Sequence, residues 1–314
     1  MTRTPGIDDV RAALARIAGI VHRTPVLTSA TLDARLGCRV FFKCENLQKV
    51  GAFKARGALN AILALDATAA ARGVITHSSG NHGAAVAWAA RQRNIRCVVV
   101  MPRNAPHVKI EAVRGYGAEV VLCEVKERDA VSARLCAERH LCMIHPFEHP
   151  DVIAGQGTVA IELLEQVPDL DVVIAPVGGG GLLSGIAIAV AALRPTARVI
   201  GAEPAAVDDA ARSLRTGVHQ PRVDDPQTLC DGLLTRLGVP NFAVLCAHHV
   251  EVLTASEAAI LAAARTFLER MKIVVEPSGA VPLAVLEEHR ERFAGLRVGA
   301  VLTGGNTDFG WLAR

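Results

Sequence analysis

The stretch Asp171-Val-Val-Ile-Ala-Pro-Val-Gly-Gly-Gly-Gly181, continued by Leu182-Leu183 and an apolar, small-residue run to about 193, reads as a strand, a glycine turn and a helix. A second strand, Arg198 to Ala202, follows at once. A strand that feeds a helix and then another strand is a crossover unit, and crossover units build parallel sheets. Four glycines at 178–181 leave no side chain between the backbone N–H groups and whatever lies above the helix start, which makes the turn a cradle for phosphate. Tight helix–sheet packing is the bland alternative, but four consecutive glycines exceed what packing needs. The P-loop signature is missing because no Gly-Lys-Ser/Thr follows. A dinucleotide fingerprint fits poorly as well, since the acidic residue after the next strand, Glu203, is followed by Pro204.

Outward from this unit the same alternation continues. Strands are expected at Arg39–Cys44, Val74–Thr76, Cys97–Met101, 118–123 and Arg297–Leu302. Helices are expected at 54–66, His82–Arg93, 107–115, 128–140 and 181–193, and a capping box at Thr254-Ala-Ser-Glu257 opens one to about Met271. The class is therefore α/β. The segment 203–240 is the least regular, and no repeat or low-complexity linker marks a domain boundary. The chain has 314 residues, 51% of them apolar and only 4% aromatic, a balance of Ala, Val, Leu and Ile that suits helices stacked on parallel sheets. A formal charge of +3 with scattered Lys and Arg points to neither nucleic acid nor an anionic membrane. Eight cysteines without a C-x-x-C pair read as reduced, buried thiols of a cytoplasmic protein. Asp8 and Asp9 before a short amphipathic helix argue against a signal peptide, and no apolar run reaches membrane-spanning length.

Candidate chemistry centres on Lys54, in Gly51-Ala-Phe-Lys-Ala-Arg-Gly57. Small neighbours admit a flat ligand and Phe53 offers an apolar wall. A lysine held that way loses solvation, its pKa falls, and its amine becomes a nucleophile or base able to form Schiff bases with carbonyl compounds, pyridoxal phosphate among them. Ser78-Ser-Gly-Asn-His82-Gly83 lies between a strand and a helix, where backbone amides favour an anion such as an amino-acid carboxylate; an ordinary N-cap turn is an equal reading. Glu276-Pro-Ser-Gly279 precedes a helix, and Thr303 follows the last strand at the end where open α/β sheets bind ligands; a capped helix and a glycine turn explain these segments equally.

Taken together and in order, these segments resemble the pyridoxal-phosphate (PLP) dependent serine/threonine dehydratase and serine racemase family, of PLP fold type II. The resemblance runs from about His22 to Asp308 and rests on Phe-Lys-Ala-Arg-Gly-Ala (53–58), Ser-Ser-Gly-Asn-His-Gly (78–83), Ala-Gly-Gln-Gly-Thr (154–158) and Pro-Val-Gly-Gly-Gly-Gly (176–181). It implies two open, mostly parallel sheets flanked by helices, with a discontinuous large domain at 1–65 and 149–314, a small mobile domain at 66–148, and a homodimer. It implies that Lys54 carries the cofactor, that Phe53 lies beside its ring, that Asn81 bonds its 3′-oxygen, and that Gly178, Gly179, Gly180 and Gly181 hold its phosphate. Glu276 joins this cofactor set, and Thr303 faces the pyridine nitrogen. Ser78, Ser79, Gly80, Asn81 and His82 would take the substrate carboxylate. Glu203, the carbonyl of Val207 and Asp209 match the family's divalent-cation site, for Mg²⁺ or Ca²⁺; without the resemblance, Glu203 and Asp209 read as solvated charges.

The implied activity is an ammonia-lyase that converts a 3-hydroxy amino acid such as threonine or serine into a 2-keto acid and ammonia, with Lys54 moving the Cα proton. Ser79 matches the racemase residue that returns a proton on the opposite face, and with Gly83 leans towards the serine racemase and 3-hydroxyaspartate dehydratase branch. Phe147, in His-Pro-Phe (145–147), leans towards dehydratases. Arg128 aligns with a family arginine near the site, where a second substrate carboxylate could pair with it, or it serves at the surface. The short tail after Asn306 leaves no room for the regulatory domain of biosynthetic threonine dehydratases. Two more distant readings are a β-replacement enzyme of the cysteine synthase type and a PLP- or nucleotide-binding module without catalysis.

Overall fold

The computed structural model describes residues 3–78, 80–105 and 107–313. The chain opens with α1 (Ile7–Ile17), β1 (Val26–Leu27), α2 (Ala30–Leu36), β2 (Arg39–Cys44) and α3 (Lys54–Ala64). Next come α4 (Ala67–Arg72), β3 (Val74–His77), α5 (Asn81–Gln92), β4 (Cys97–Pro102), α6 (His107–Gly115), β5 (Glu119–Cys123), α7 (Arg128–Glu138) and β6 (Cys142–Met143). The central run is α8 (Pro150–Gln166), β7 (Val172–Pro176), α9 (Gly181–Leu193), β8 (Arg198–Pro204) and α10 (Asp209–Thr216). The chain finishes with α11 (Val239–Ala247), β9 (Glu251–Ala255), α12 (Glu257–Thr266), α13 (Pro277–Glu288) and β10 (Arg297–Leu302).

These strands make two sheets. One has six strands in the order β1-β2-β10-β7-β8-β9, parallel except for β1; the other is the parallel set β5-β4-β3-β6. Both faces of each sheet are covered, which explains why the strands read as unbroken apolar runs. On the six-stranded sheet, Val40, Phe42, Ile174 and Leu302 pack with α12 and α13, while Phe41, Val173, Ala175 and Val301 pack with α8 and α9. On the four-stranded sheet, Val74, Val99 and Met101 meet α3, α5 and α6, and Ile75, Val98 and Val100 meet α7 through Leu135.

Helix α8 has no counterpart among the expected helices, because Gly155 and Gly157 in its middle weaken helical propensity. Their purpose is close approach. A Cβ on Gly155 would lie 2.6 Å from Gly57 Cα of α3, and one on Gly157 would lie 2.7 Å from the Gly185 carbonyl of α9. The helix cap near 254 also differs from the expected box: Ser256 is the N-cap, its hydroxyl accepting from Ala259 N–H, while Thr254 still belongs to β9. Of the eight cysteines, all free, Cys38, Cys44, Cys97, Cys123 and Cys230 are buried and Cys136, Cys142 and Cys246 are partly exposed. Among the described residues no helix is long and apolar enough to cross a membrane.

Candidate active site

Parallel topology brings three of the sequence segments together. β2, β10 and β7 are neighbours, so the segments after them leave the same edge of the sheet: Phe53-Lys54 follows β2, Thr303 follows β10, and Gly178–Gly181 follows β7. This is the carboxyl-terminal edge at which open α/β sheets place their ligands. Phe53 N–H donates to the Thr303 carbonyl at 3.0 Å, and Ala52 bridges Gly304, so the entry to α3 is pinned to the end of β10. From the other sheet, the turn after β3 (Ser78, Gly80–His82) and the segment after β6 (Pro146-Phe147) close over the same space. The resulting cavity of about 220 Å³ is lined by Lys54, Asn81, His82, Glu276, Thr303 and the four glycines, among others.

Lys54 begins α3, and its amine donates to the Pro146 carbonyl at 2.9 Å, with the Phe53 ring centroid 5.1 Å away. No carboxylate pairs with it among the described residues. Desolvation by the surrounding protein pushes the amine down to about 8. The glycine loop has no room for side chains. A Cβ on Gly181 would lie 2.9 Å from the Phe147 carbonyl, one on Gly179 would enter the Phe147 ring, and Gly180 has φ +86°. Phe147 and Asn241 form the back wall: the Asn241 amide donates to the Gly179 carbonyl at 2.7 Å and to the Phe147 carbonyl at 2.8 Å. What remains open are the backbone amides at the start of the 13-residue helix α9, the donor set a phosphate needs.

Asn81 and Glu276 meet across the cavity. Asn81 donates to Glu276 Oε1 at 2.8 Å and accepts from Asn306 at 3.0 Å. Glu276 Oε2 is buried without a partner, and burial pushes this carboxyl up to about 7. Ser78 Oγ accepts from Gly80 N–H at 3.0 Å, and His82 Nε2 faces the Ile144 carbonyl at 3.2 Å while its Nδ1 is buried without a partner. Burial, with the Lys54 charge adding to it, holds His82 well below the usual imidazole range. Ser79, which the sequence marks as a second catalytic and substrate-binding residue, lies outside the described residues.

His77 and Lys109 line the cavity without a sequence expectation. His77 and His145 stack edge to face at 5.2 Å, and His145 does the same with Phe147 at 4.6 Å. Burial lowers His77 to about 4 and His145 to about 3, so both rings are neutral at pH 7. Lys109 of α6 also lines the cavity, paired with Asp231. Lys109 and Asp231 are 122 positions apart and belong to no motif, so no local signal points to them. Arg128, for which the sequence leaves a site role and a surface role open, lines the cavity at the start of α7, and its Nε is buried without a hydrogen-bond partner.

The expected cation residues meet at the end of β8. Buried Glu203 accepts from the amides of Ala210 and Ala211 at 3.0 and 2.8 Å, and Asp209 accepts from Leu237 N–H at 2.9 Å. Burial, then the neighbouring Asp209 charge, raises Glu203, and burial raises Asp209. Both Glu203 oxygens and Asp209 Oδ2 thus already accept backbone N–H groups. Among the described residues no group of three or more His, Cys, Asp or Glu side chains could hold a metal.

This geometry has known relatives. The chain is 47% identical over 306 residues, 97% of both chains, to a protein named beta-hydroxyaspartate dehydratase from Paracoccus denitrificans. It is 44% identical over 317 residues to a serine racemase of Dictyostelium discoideum, covering 99% of this chain and 98% of the relative. Among solved structures, a threonine deaminase from T.th. superposes with a TM-score of 0.93 at 47% identity, over 98% of this chain and all of the other. The two-sheet architecture is that of PLP fold type II. The family model for pyridoxal-phosphate dependent enzymes matches residues 17–304, so with the amine of Lys54, the glycine cradle and the helix start of α9 turned into one cavity, the chain belongs to the pyridoxal-phosphate dependent enzyme family.

Proposed function

We propose that the chain is an ammonia-lyase that removes the hydroxyl and the amine of a 3-hydroxy amino acid, releasing a 2-keto acid and ammonia, and that its preferred substrate is a dicarboxylate, 3-hydroxyaspartate, ahead of serine and threonine. One observation carries the choice of substrate. The guanidinium of Arg128 lines the cavity, and its buried Nε makes no hydrogen bond; its one nearby carboxylate is the exposed Asp129, at 3.6 Å. A buried donor without a hydrogen bond is costly, and a second substrate carboxylate would supply one. The charge of the lining supports the same reading: Lys54, Lys109, Arg128 and Arg222 stand against Asp231 and Glu276.

The amides of Gly178–Gly181 at the start of α9 would hold the cofactor phosphate, with Asn81, Glu276 and Thr303 along the ring edges and Phe53 beside it. When bound, pyridoxal phosphate supplies an electron sink for the bonds at the substrate Cα. The Ser78–His82 turn, at the start of the 12-residue helix α5, would orient the substrate α-carboxylate. Lys54, its amine near pH 8 and free of a counter-ion, would take the Cα proton. His77, His82 and His145, neutral at pH 7, leave the cationic work to Lys54 and Arg128.

Glu203, the Val207 carbonyl and Asp209 would bind Mg²⁺ or Ca²⁺. The strands of the four-stranded sheet all fall between 74 and 143, which supports a small domain at 66–148 set against a large one at 1–65 and 149–314. The free cysteines support a cytoplasmic setting, and a homodimer is the expected assembly.

The test is keto-acid and ammonia release from a panel of L- and D-3-hydroxy amino acids, with chiral analysis of recovered substrate to measure racemisation. Turnover of 3-hydroxyaspartate should exceed that of serine and threonine, Arg128→Met should erase the preference, and Lys54→Ala should abolish turnover. Keto-acid release by Lys54→Ala would sink the assignment, and equal turnover of all three substrates by the wild type would sink the choice of substrate.

A further inference from the structure

Two side-chain bridges run across the mouth of the cavity from α5 and α6 to the segments around the start of α13. One is the Asn81–Glu276 hydrogen bond, at 2.8 Å. The other is charged: Lys109 of α6 pairs with Asp231 in the short turn Asp231–Leu233. Among the described residues it is the single ion pair between the lobe of the four-stranded sheet and the rest of the protein. The Asp231 turn is itself moored, since Gly232 N–H donates to Ser278 Oγ in the first turn of α13 at 3.0 Å. On the other side, the stem of Lys109 lies across the turn before α5. A Cβ on Gly80 would come 2.7 Å from Lys109 Cδ and 3.3 Å from its Nζ. Glycine at 80 is thus the residue that lets the lysine lie there, and the lysine fills the space a side chain would take.

The exposure of the pair suits a joint that opens. Lys109 has 10% of its side chain exposed and Asp231 has 44%, so water reaches one end of the bridge. A fully wet pair would contribute almost nothing and a dry one would be hard to break. The four-stranded lobe can thus be drawn onto the larger sheet by a contact that water can replace.

We infer that Lys109 and Asp231 form a charged clasp over the active-site mouth, and that Lys109 is a positioning residue that holds the Gly80–Asn81 turn in place for the substrate carboxylate. The second half rests on the proposed role of that turn; the clasp itself does not. Neither residue touches the reacting atoms in this assignment. Both act through where they hold the turn and the lobe.

A double-mutant cycle on the holoenzyme tests it, using Lys109→Met, Asp231→Asn and the two combined. Each single variant should raise KM for 3-hydroxyaspartate roughly tenfold, within the usual range of coupling between linked sites, with kcat changed less than KM. The combined variant should be no worse than the more impaired single one, because both remove the same bridge. Lys109→Arg, which keeps the charge, should retain most of the binding. Independently of turnover, hydrogen exchange of the α6 amides (107–115) should be faster in both single variants than in the wild type. Additive losses in the cycle, or unchanged KM and unchanged α6 exchange, would overturn the clasp. If the wild type releases no keto acid from any 3-hydroxy amino acid, the proposed reaction fails while the exchange measurement still decides the clasp. Should Lys109→Met not fold, Asp231→Asn and Lys109→Arg carry the same comparison.

Discussion

Lys54 and Arg56 stand two residues apart in the first turn of α3 and meet opposite surroundings. Arg56 is fully buried and saturated: it binds Glu45 through Nε and Nη2 at 2.8 Å each and Glu162 through Nη1 and Nη2 at 2.7 and 2.8 Å. Lys43, equally buried, joins the same network at Glu162, Gln166 and the Thr24 carbonyl, each at 2.8 Å. Burial alone would disfavour the charged guanidinium, but Glu45 and Glu162 overcome it and hold Arg56 above its ordinary value. Lys54 has no such partner, so burial acts unopposed and brings the amine to about 8. A buried cation with its carboxylates around it is architecture; a half-buried amine without them is open to chemistry. The arginine network locks α3 to β2 and α8, and that lock aims the lysine.

The largest effect expected from breaking this contrast is at Arg56. Arg56→Met leaves Glu45 and Glu162 with too little positive charge in a dry site, and should cost about 3–5 kcal/mol in urea unfolding. Full stability in that variant would mean that the network is ornamental. Arg56→Lys sharpens the point. One ammonium cannot face two carboxylates with the geometry of a guanidinium fork, so about 2 kcal/mol should still be lost in the same assay.

At Lys54 the sign should reverse. The folded state disfavours its proton, so Lys54→Met should make the cofactor-free protein more stable than the wild type at pH 7, by about 1–2 kcal/mol once water access to the cavity is allowed for. That gap should close as pH rises from about 8 towards the ordinary lysine value of 10.5, because the wild-type amine then loses its proton in the folded state first. A gap that widens with pH would contradict the unpaired amine.

The smallest effect belongs to Glu276. With its carboxyl raised to about 7 from 4.5, the folded state holds a proton that the unfolded state releases, so this contribution is full below about pH 4.5 and is lost as pH rises through 7. Glu276→Gln should remove that slope. In thermal melts across the range, variant and wild type should nearly coincide below pH 4.5. At pH 7 the variant should be the more stable, by about 1 kcal/mol, because water in the cavity screens the wild-type carboxylate. A wild type that gains stability between pH 4.5 and 7 relative to the variant would contradict the raised carboxyl.

Much of the frame is legible along the chain. The spans 39–44, 107–115, 181–193 and 297–302 read from sequence as the structure has them, because each is a strongly apolar or periodic run with clear punctuation. Helix α8 is hidden by the glycines that let it pack, and the start of α12 is obscured because Thr254 and Ser256 both look like caps. The candidate residues at 53–54, 78, 80–82, 178–181, 276 and 303 line one cavity. The packing of Phe147 against the glycine loop and the ionic partners of Arg56 are not readable from the residues themselves, because both are contacts between distant segments.

Sequence by itself determined the α/β class, the glycine loop at a strand-to-helix junction, and a lysine beside a ring, because these depend on backbone conformation and on neighbours a few positions away. Only the tertiary structure decided which charges are paired. Glu45 with Arg56, Glu162 with both Arg56 and Lys43, and Lys109 with Asp231 join residues from 11 to 122 positions apart. Electrostatic energy depends on distance and burial, which exist only once the helices have closed on the sheets, and that is what separates the unpaired Lys54 from the saturated Arg56.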